Sequence, residues 1–438
     1  MSSRGADSRI TSRSGVVAWA LWDCGATGVN AIVITFVFSV YLTEQVGSGL
    51  PGPTTPASWL GRMLTIAGLC VALLAPATGI WVDAPNRRRT ALAVLTGLAV
   101  AMTAAMSLIR ADYHYLWPGL ALLACTAACS DLATVPYNAM LRQLSTAENS
   151  GRISGLGSAA GYFGSVVLLM IIYLGFIQGG GDTRGLLGLA VVDGQHVRAA
   201  MLLAAAWFAL FALPLLVSAR TPASVDRRPR VGLLGAYRAL WNEVKGEWRR
   251  DRNVVYYLLA SAVFRDGLTG IFAFGAVLGV AVYRVSQADV LVFGVCASIV
   301  AAIGAVVGGL LNDRVGSKPV IAGSLTAMIA VGLVLLTLSG ALAFGICGLL
   351  LCLFVGPILA SARALMLRMC AKGKEGVAFG LYTTTGRAAS FLAPWMFFTF
   401  IDLFGNDRAG LGGLCAVLAA GLVAMIAVRV PPRRPGLG

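Results

Sequence analysis

Charged side chains are scarce in this sequence. Asp, Glu, Lys and Arg make up 12% of its 438 residues, whereas hydrophobic residues make up 58%. Soluble globular domains carry about 25% charged residues, so the composition excludes an ordinary soluble protein. Long uncharged apolar runs recur between residues 16 and 428, each close to the roughly 20 residues that a helix needs to cross a bilayer. A membrane β-barrel would instead show short alternating strands.

The sequence contains very little histidine and no nucleotide-binding motif. The only two histidines, His114 and His196, are far apart in the sequence and offer no cluster of metal ligands. No phosphate loop of the Walker type is present, so we do not expect ATP to power the protein directly. We expect neither a metal nor a cofactor. We also do not expect an enzyme, because one embedded in the membrane would need a nucleophile–base pair or a metal cluster.

The apolar runs predict an all-α membrane protein with twelve transmembrane helices. The predicted spans are 16–42, 59–81, 90–109, 115–141, 153–177, 199–218, 254–282, 287–311, 319–338, 341–367, 376–402 and 409–429. The first run is too long for a signal peptide, so we interpret it as a retained span.

The distribution of Lys and Arg predicts the orientation of these spans. With the N-terminus in the cytoplasm, inner segments hold 25 of the 34 basic residues and outer loops hold 5. The positive-inside rule therefore places both termini in the cytoplasm, in a multi-pass protein of the cell membrane. The net charge of +15 then faces anionic lipid headgroups, and we expect no nucleic-acid partner. None of the nine cysteines lies in a predicted outer loop, so a disulfide framework is not expected.

The chain divides into two similar halves. Residues 219–253 form the longest predicted cytoplasmic connection and contain a pattern typical of an amphipathic surface helix. This linker separates an N-terminal six-helix bundle, 1–218, from a C-terminal one, 254–438. "GATGVNA" in the first span matches "GLTGIFA" in the seventh, and "AMLRQL" matches "LMLRMC". Six spans return the chain to the same side, so the two bundles are parallel repeats.

A loop motif is repeated in both halves. "GIWVDAPNRRR" follows the second span and "GLLNDRVGSK" follows the eighth; both contain Gly-x-x-x-Asp with a basic residue five positions after the Asp. This pattern resembles the signature loop of the major facilitator superfamily. Over nearly the whole chain, segments such as "AWALWDCGATGVNAIVITFVFSVYLTE" and "GLYTTTGRAASFLAPWMF" resemble one bacterial branch of that superfamily. That branch is related to the fungal vacuolar autophagy-related amino-acid effluxers.

The resemblance implies a role for the repeated loops. In the superfamily, the loop Asp interacts with the N-terminus of a neighbouring helix and with basic residues, and so latches the outward-facing state. We expect Asp83 and Asp313 to have this role here. The full set of candidate latch residues is Gly79, Asp83, Arg87, Arg88, Gly309, Asp313, Arg314, Gly316 and Lys318.

Six charged residues lie well inside the predicted spans. They are Asp23, Asp131, Arg265, Asp266, Arg363 and Arg387. A charge against lipid at this depth costs several kcal/mol, so each is expected to face a cavity or a partner. The resemblance implies that spans 1, 4, 7 and 10 line a central cavity, and five of the six charges lie on them. Together with Asn30, these residues are our candidates for substrate binding and coupling.

These charges favour a proton-coupled secondary transporter that works by alternating access. The aspartates are candidates for proton exchange, and Arg265 and Arg387 suit a carboxylate ligand. We expect a small polar or zwitterionic solute such as an amino acid. By family analogy, efflux is favoured over uptake, and a monomer is expected. The alternatives are a cation-coupled sugar symporter, a non-transporting sensor built on a transporter fold, and a membrane-embedded enzyme.

Overall fold

The computed structural model describes residues 13–51, 55–83, 85–146, 148–179, 182–218, 252–285 and 287–430, together with Lys245. The amphipathic helix predicted in the linker 219–253 lies outside these ranges apart from residue 245 and the last two positions.

The helices are α1 Arg13–Asn30, α2 Pro56–Val82, α3 Pro85–Ala105, α4 Leu116–Leu144, α5 Ser150–Ile172, α6 Gln195–Ser218, α7 Arg252–Ala281, α8 Gln287–Val315, α9 Ser317–Thr337, α10 Ala341–Met369, α11 Glu375–Ala389, α12 Leu392–Phe404 and α13 Ala409–Ala427.

Most of the predicted spans are continuous helices. Within the described residues, eleven helical runs are long and apolar enough to cross a membrane. The first of them continues beyond α1 through π-helical and 3-10 turns to Gly49. The small β-hairpin between α5 and α6, with β1 Thr183–Arg184 paired to β2 Leu189–Ala190, is a short exception to the all-helical prediction.

The eleventh predicted span, 376–402, is not one continuous helix. It is divided into α11 and α12, with Ser390 and Phe391 between them. Pro394 lies in the first turn of α12, where its missing N–H is not needed, whereas in a continuous helix its ring would clash with the carbonyl of residue 390. A discontinuous helix inside a membrane leaves backbone groups that need partners from neighbouring helices.

Helices from the two halves of the chain pack closely at one end of the molecule, where α2 leads into α3 and α8 into α9. We call this end the motif face. There α2 packs against α11, and α5 packs against α8. A Cβ atom at Gly79 would overlap the Gly376 carbonyl oxygen, and one at Gly155 would overlap the Ala305 carbonyl oxygen. Glycine at both positions therefore lets backbones of the two halves touch.

Candidate functional site

The motif face is held by an aspartate from the first half that caps a helix of the second. Asp83 Oδ1 accepts hydrogen bonds from the backbone N–H of Gly376 at 2.6 Å and of Val377 at 3.4 Å. These are the second and third residues of α11, whose own N-cap residue, Lys374, provides no side-chain cap. The first N–H groups of a helix have no partner within it and carry partial positive charge. Asp83 therefore acts as an N-cap supplied by another part of the chain.

A buried ion-pair cluster surrounds this contact. Glu375, only 2% exposed, pairs with Arg88 at 2.7 Å and with Arg142 at 2.6 Å. Arg88 also donates to the backbone oxygens of Val82 and Ala139, both at 3.1 Å. Neither Arg142 nor Glu375 was among the sequence candidates. Arg142 lies in the repeated "AMLRQL" segment, which was a usable signal, whereas Glu375 resembles an ordinary loop charge in the sequence.

The two carboxylates of this cluster titrate differently. Burial raises the pKa of Asp83 to about 6, against the opposing effects of the Gly376 N–H and of Arg88. Burial alone would also raise the pKa of Glu375, but hydrogen bonds from Arg88 and from the Gly373 N–H outweigh it and hold that pKa below its usual range. Of these two carboxylates, Asp83 is therefore the one whose charge changes with pH in the mildly acidic range.

The second repeated loop makes the equivalent contact in the opposite direction. The two carboxylate oxygens of Asp313 accept from the N–H groups of Gly151 at 2.8 Å and Arg152 at 2.9 Å. These are again the second and third residues of a helix, α5, whose N-cap residue Asn149 provides no side-chain cap. A Cβ atom at Gly151 would overlap the Asn312 amide. Each half of the chain thus caps one helix of the other half.

The remaining motif residues have separate structural roles. Gly309 allows the close approach, since a Cβ there would lie 2.7 Å from the Gly151 carbonyl oxygen. Gly316 adopts a φ of 101°, which favours glycine, at the start of α9. Lys318 donates to the backbone oxygens of Ile426 and Val428, both at 2.7 Å, and so caps the C-terminus of α13. Arg87 is half-buried and Arg314 is exposed, and both lie on the motif face.

Among the residues that the structure describes, two ion pairs join the halves within the transmembrane helices, away from the motif face. The first links Asp131 on α4 to Arg387 in the last turn of α11, with side chains that are 23% and 40% exposed. Arg265 lies against Gly386, the neighbour of Arg387 on α11. This group combines two cations with one anion, and it is the most accessible of the intramembrane charges.

The second pair, Asp23 and Arg363, is more enclosed. Their closest charged atoms are 3.6 Å apart. Arg363 also donates to the backbone oxygen of Ser154 at 3.0 Å and to the Ser158 hydroxyl. Thr27 donates to Asp23 at 3.2 Å. The pair therefore connects α1 and α5 of the first half to α10 of the second.

An aromatic cluster that the sequence reading did not identify lies beside this second pair. The rings of Trp19 and Tyr137 are stacked with centroids 4.4 Å apart, and Trp22 stacks on the other side of Tyr137 at the same distance. The Arg363 guanidinium lies 5.7 Å from the Trp19 ring centre. All three rings are fully buried. The three rings form a tightly packed wall beside the Asp23–Arg363 pair.

Arg265 and Asp266 occupy different surroundings although they are adjacent in sequence. The Arg265 guanidinium lies over the Tyr382 ring at 3.8 Å and donates to the Tyr382 carbonyl oxygen at 2.9 Å. Asp266 is buried and accepts from the backbone N–H of Ala393 at 2.6 Å. The sequence predicts either a cavity or a partner for this charge, and the structure places Asp266 against the first turn of α12. Neighbouring residues on a helix point about 100° apart, which explains the separation.

Asn30 is the last residue of α1 and precedes its π-helical continuation. Its side-chain oxygen is buried, and no described residue donates a hydrogen bond to it. π-Helical turns within α-helices occur frequently at functional sites. No group of three His, Cys, Asp or Glu side chains that could hold a metal is found in the described part of the chain.

Known protein sequences match this chain over most of its length. Residues 24–394 match the sequence model of the Major Facilitator Superfamily. YxiO of Bacillus subtilis (strain 168), an uncharacterized MFS-type transporter, is 22% identical over 412 residues, which cover 93% of this chain and 92% of that protein. Autophagy-related protein 22 of Cryptococcus neoformans var. neoformans serotype D (strain B-3501A) is 24% identical over 336 residues, which cover 70% of this chain and 59% of that protein.

Solved structures show the same architecture. The transporter FucP in the outward conformation superposes with a TM-score of 0.69 at 15% identity, covering 96% of this chain and all (100%) of that one. The proton:xylose symporter XylE bound to 6-bromo-6-deoxy-D-glucose gives 0.70 at 14% identity, covering 95% of both chains. A bacterial homologue of the iron transporter ferroportin in an outward-facing state gives 0.67 at 15% identity, covering 94% and 97%. At these identities the likeness shows the fold alone.

Proposed function

Because the chain belongs to the Major Facilitator Superfamily, a family of transporters built from twelve helices in two halves, we propose that it moves a small polar or zwitterionic solute by alternating access. Its family and fold make it a multi-pass membrane transporter. We also propose the class of solute, its coupling to protons and the direction of transport. The bundles 1–218 and 254–438 move against each other around the two ion pairs that join the halves, which we call the charged centre.

We assign the motif face to the cytoplasm, together with both termini. The bias of basic residues toward that face supports this orientation. The structure, with its motif face closed, then corresponds to an outward-facing state, the state that FucP and the ferroportin homologue have in their structures. Cysteines introduced at Thr146 and Lys372, both exposed on the motif face, should react with an impermeant thiol reagent only after cells are permeabilised. A cysteine at Ser48 should react directly, and the opposite result would reverse the orientation.

The accessible ion pair between Asp131 and Arg387 is the observation that supports a zwitterionic solute. A substrate carboxylate can replace Asp131 as the partner of Arg387, and a substrate ammonium group can replace Arg387 as the partner of Asp131. Because the pair crosses between α4 and α11, such an exchange would break one link between the halves and bind each to the solute. The charge of Arg265 adds to the attraction for a carboxylate.

Proton coupling and efflux complete the proposal. Asp131 can lose its Arg387 partner when the solute displaces it or when the site changes sides, and an unpaired carboxylate in a low-dielectric site takes up a proton. Asp23 is in a comparable position beside Arg363. The resemblance to vacuolar amino-acid effluxers supports an amino acid as the solute and export as the direction.

The test is transport in proteoliposomes, with a panel of amino acids, organic acids and sugars supplied with and without a pH gradient. We expect pH-driven movement of at least one amino acid, and Arg387→Gln should raise its half-saturation concentration at least about tenfold, since a charge-assisted contact is lost. Arg408→Gln is the matched control, because Arg408 lies outside the charged centre. Transport of a sugar with wild-type affinity in Arg387→Gln would favour the sugar-symporter alternative. The absence of any transport would favour a sensor.

A further inference from the structure

The break between α11 and α12 exposes the ends of two helices inside the membrane. The last carbonyl groups of α11 carry partial negative charge, and the first N–H groups of α12 carry partial positive charge. Phe391, the N-cap residue of α12, provides no side-chain cap. In a hydrocarbon environment these groups are costly unless other parts of the protein satisfy them.

The adjacent charges of α7 lie on the two sides of this break. Arg265 contacts the second half of α11, where it donates to the carbonyl oxygen of Tyr382, the eighth of the 15 residues, and lies against Gly386, three residues before the end of the helix. Asp266 contacts the first turn of α12 through the Ala393 N–H. The cation thus lies on the α11 side of the break, one to two turns before the last carbonyl groups, and the anion lies at the positive end of α12. This arrangement explains why two opposite charges adjoin at the centre of an otherwise apolar span.

We propose that Arg265 and Asp266 form a two-sided clamp that fixes the break in the eleventh span and positions Arg387. Arg387 lies in the last turn of α11, three residues before Ser390. It can reach Asp131 only if that turn is held in place. Both residues are therefore positioning residues. The contacts that hold α11 and α12 do not depend on the solute. The effect of the clamp on transport rests on the proposed function.

The clamp also gives α11 a role in connecting the motif face to the Asp131–Arg387 pair. The N-terminus of this 15-residue helix is capped by Asp83 at the motif face, and its C-terminal turn carries Arg387. At 1.5 Å per residue the helix spans about 22 Å. When the motif face opens and releases one end of α11, the clamp is the point around which the other end turns.

Two substitutions at one position separate the clamp from a proton-coupling role. Asparagine caps helices about as well as aspartate, so Asp266→Asn keeps the bond to Ala393 but cannot titrate. Asp266→Ala loses the bond. If Asp266 is a clamp, Asp266→Asn should retain uphill, pH-driven transport, and Asp266→Ala should raise the half-saturation concentration at least about tenfold through misplacement of Arg387. If Asp266 carries the coupled proton, both variants should lose uphill transport.

Hydrogen exchange on the purified full-length protein tests the clamp without a known solute. Asp266→Ala should speed exchange of the backbone amides of residues 391–393 and 395 about fivefold, and Asp266→Asn less than twofold, because only the first removes the cap. Arg265→Ala should instead speed exchange at 385–389, on the other side of the break. Asp402→Ala, which removes an exposed carboxylate of the same helix α12, should change neither segment. The clamp is refuted if Asp266→Ala leaves 391–395 unchanged or if both alanine variants affect the same side.

Discussion

At the scale of single residues, Asp83, Asp313 and Asp266 perform the same task in different places. Each accepts a hydrogen bond from the first turn of a helix that has no side-chain cap of its own. The sequence allowed two of them to be selected as latch residues, because the repeated loop motif resembles a known one. It could not reveal the role of Asp266, since that role depends on a helix break more than 120 residues away in the chain.

Asp83 should make the closed motif face sensitive to pH. Its pKa is about 6 when buried, and it should fall toward the ordinary value of about 3.9 when the face opens to water. The closed state therefore binds the proton more tightly. This contribution to closure is fully present below about pH 4 and is lost as the pH rises through about 6. Hydrogen bonds from Arg88 and from the Gly373 N–H hold the pKa of Glu375 below its usual range, so the titration in this window belongs to Asp83.

The measurement is the energy-transfer distance between labels at Thr146 and Lys372, in a background without reactive cysteines. The closed fraction should fall between pH 5 and pH 7 in the unmodified protein. Asp83→Asn, which mimics the protonated group, should hold at pH 7 the fraction that the unmodified protein shows at pH 5. A variant that keeps the full pH dependence would show that another group titrates.

At the scale of elements, the helices could largely be predicted from apolar periodicity and length. Eleven of the twelve predicted spans correspond to continuous helical runs in the described residues. The break at Ser390 was missed because proline in the first turn of α12 looks, in sequence, like one more apolar residue of a long run. The cross-half pairs Asp23–Arg363 and Asp131–Arg387 were also beyond prediction. Depth in the membrane identifies such charges, but only packing decides which of them meet.

The capped start of α5 gives a prediction at this scale. Asp313→Ala removes two hydrogen bonds to the Gly151 and Arg152 N–H groups. Loss of an N-cap costs about 1 kcal/mol, so the ratio of closed to open motif face should fall at least about fivefold. The Thr146–Lys372 distance should lengthen accordingly. Asp402→Ala is the control, and an unchanged distance in Asp313→Ala would show that this contact does not hold the face closed.

At the scale of the whole molecule, the closed motif face and the charged centre form one connected system. The latch contacts hold α5 and α11 at their first turns, and both helices extend from there to the ion pairs between the halves. Breaking the latch should therefore move the two bundles as units. The opposite face, which carries Ser48 and Ser339, should narrow as the motif face widens.

The most direct test is to record both distances in one preparation, Thr146–Lys372 across the motif face and Ser48–Ser339 across the opposite face, by double electron–electron resonance. Asp313→Ala at pH 7 should lengthen the first distance and shorten the second, with the two changes appearing in the same fraction of molecules. If the first distance lengthens while the second stays fixed or also lengthens, the halves do not move reciprocally, and the alternating-access account is contradicted.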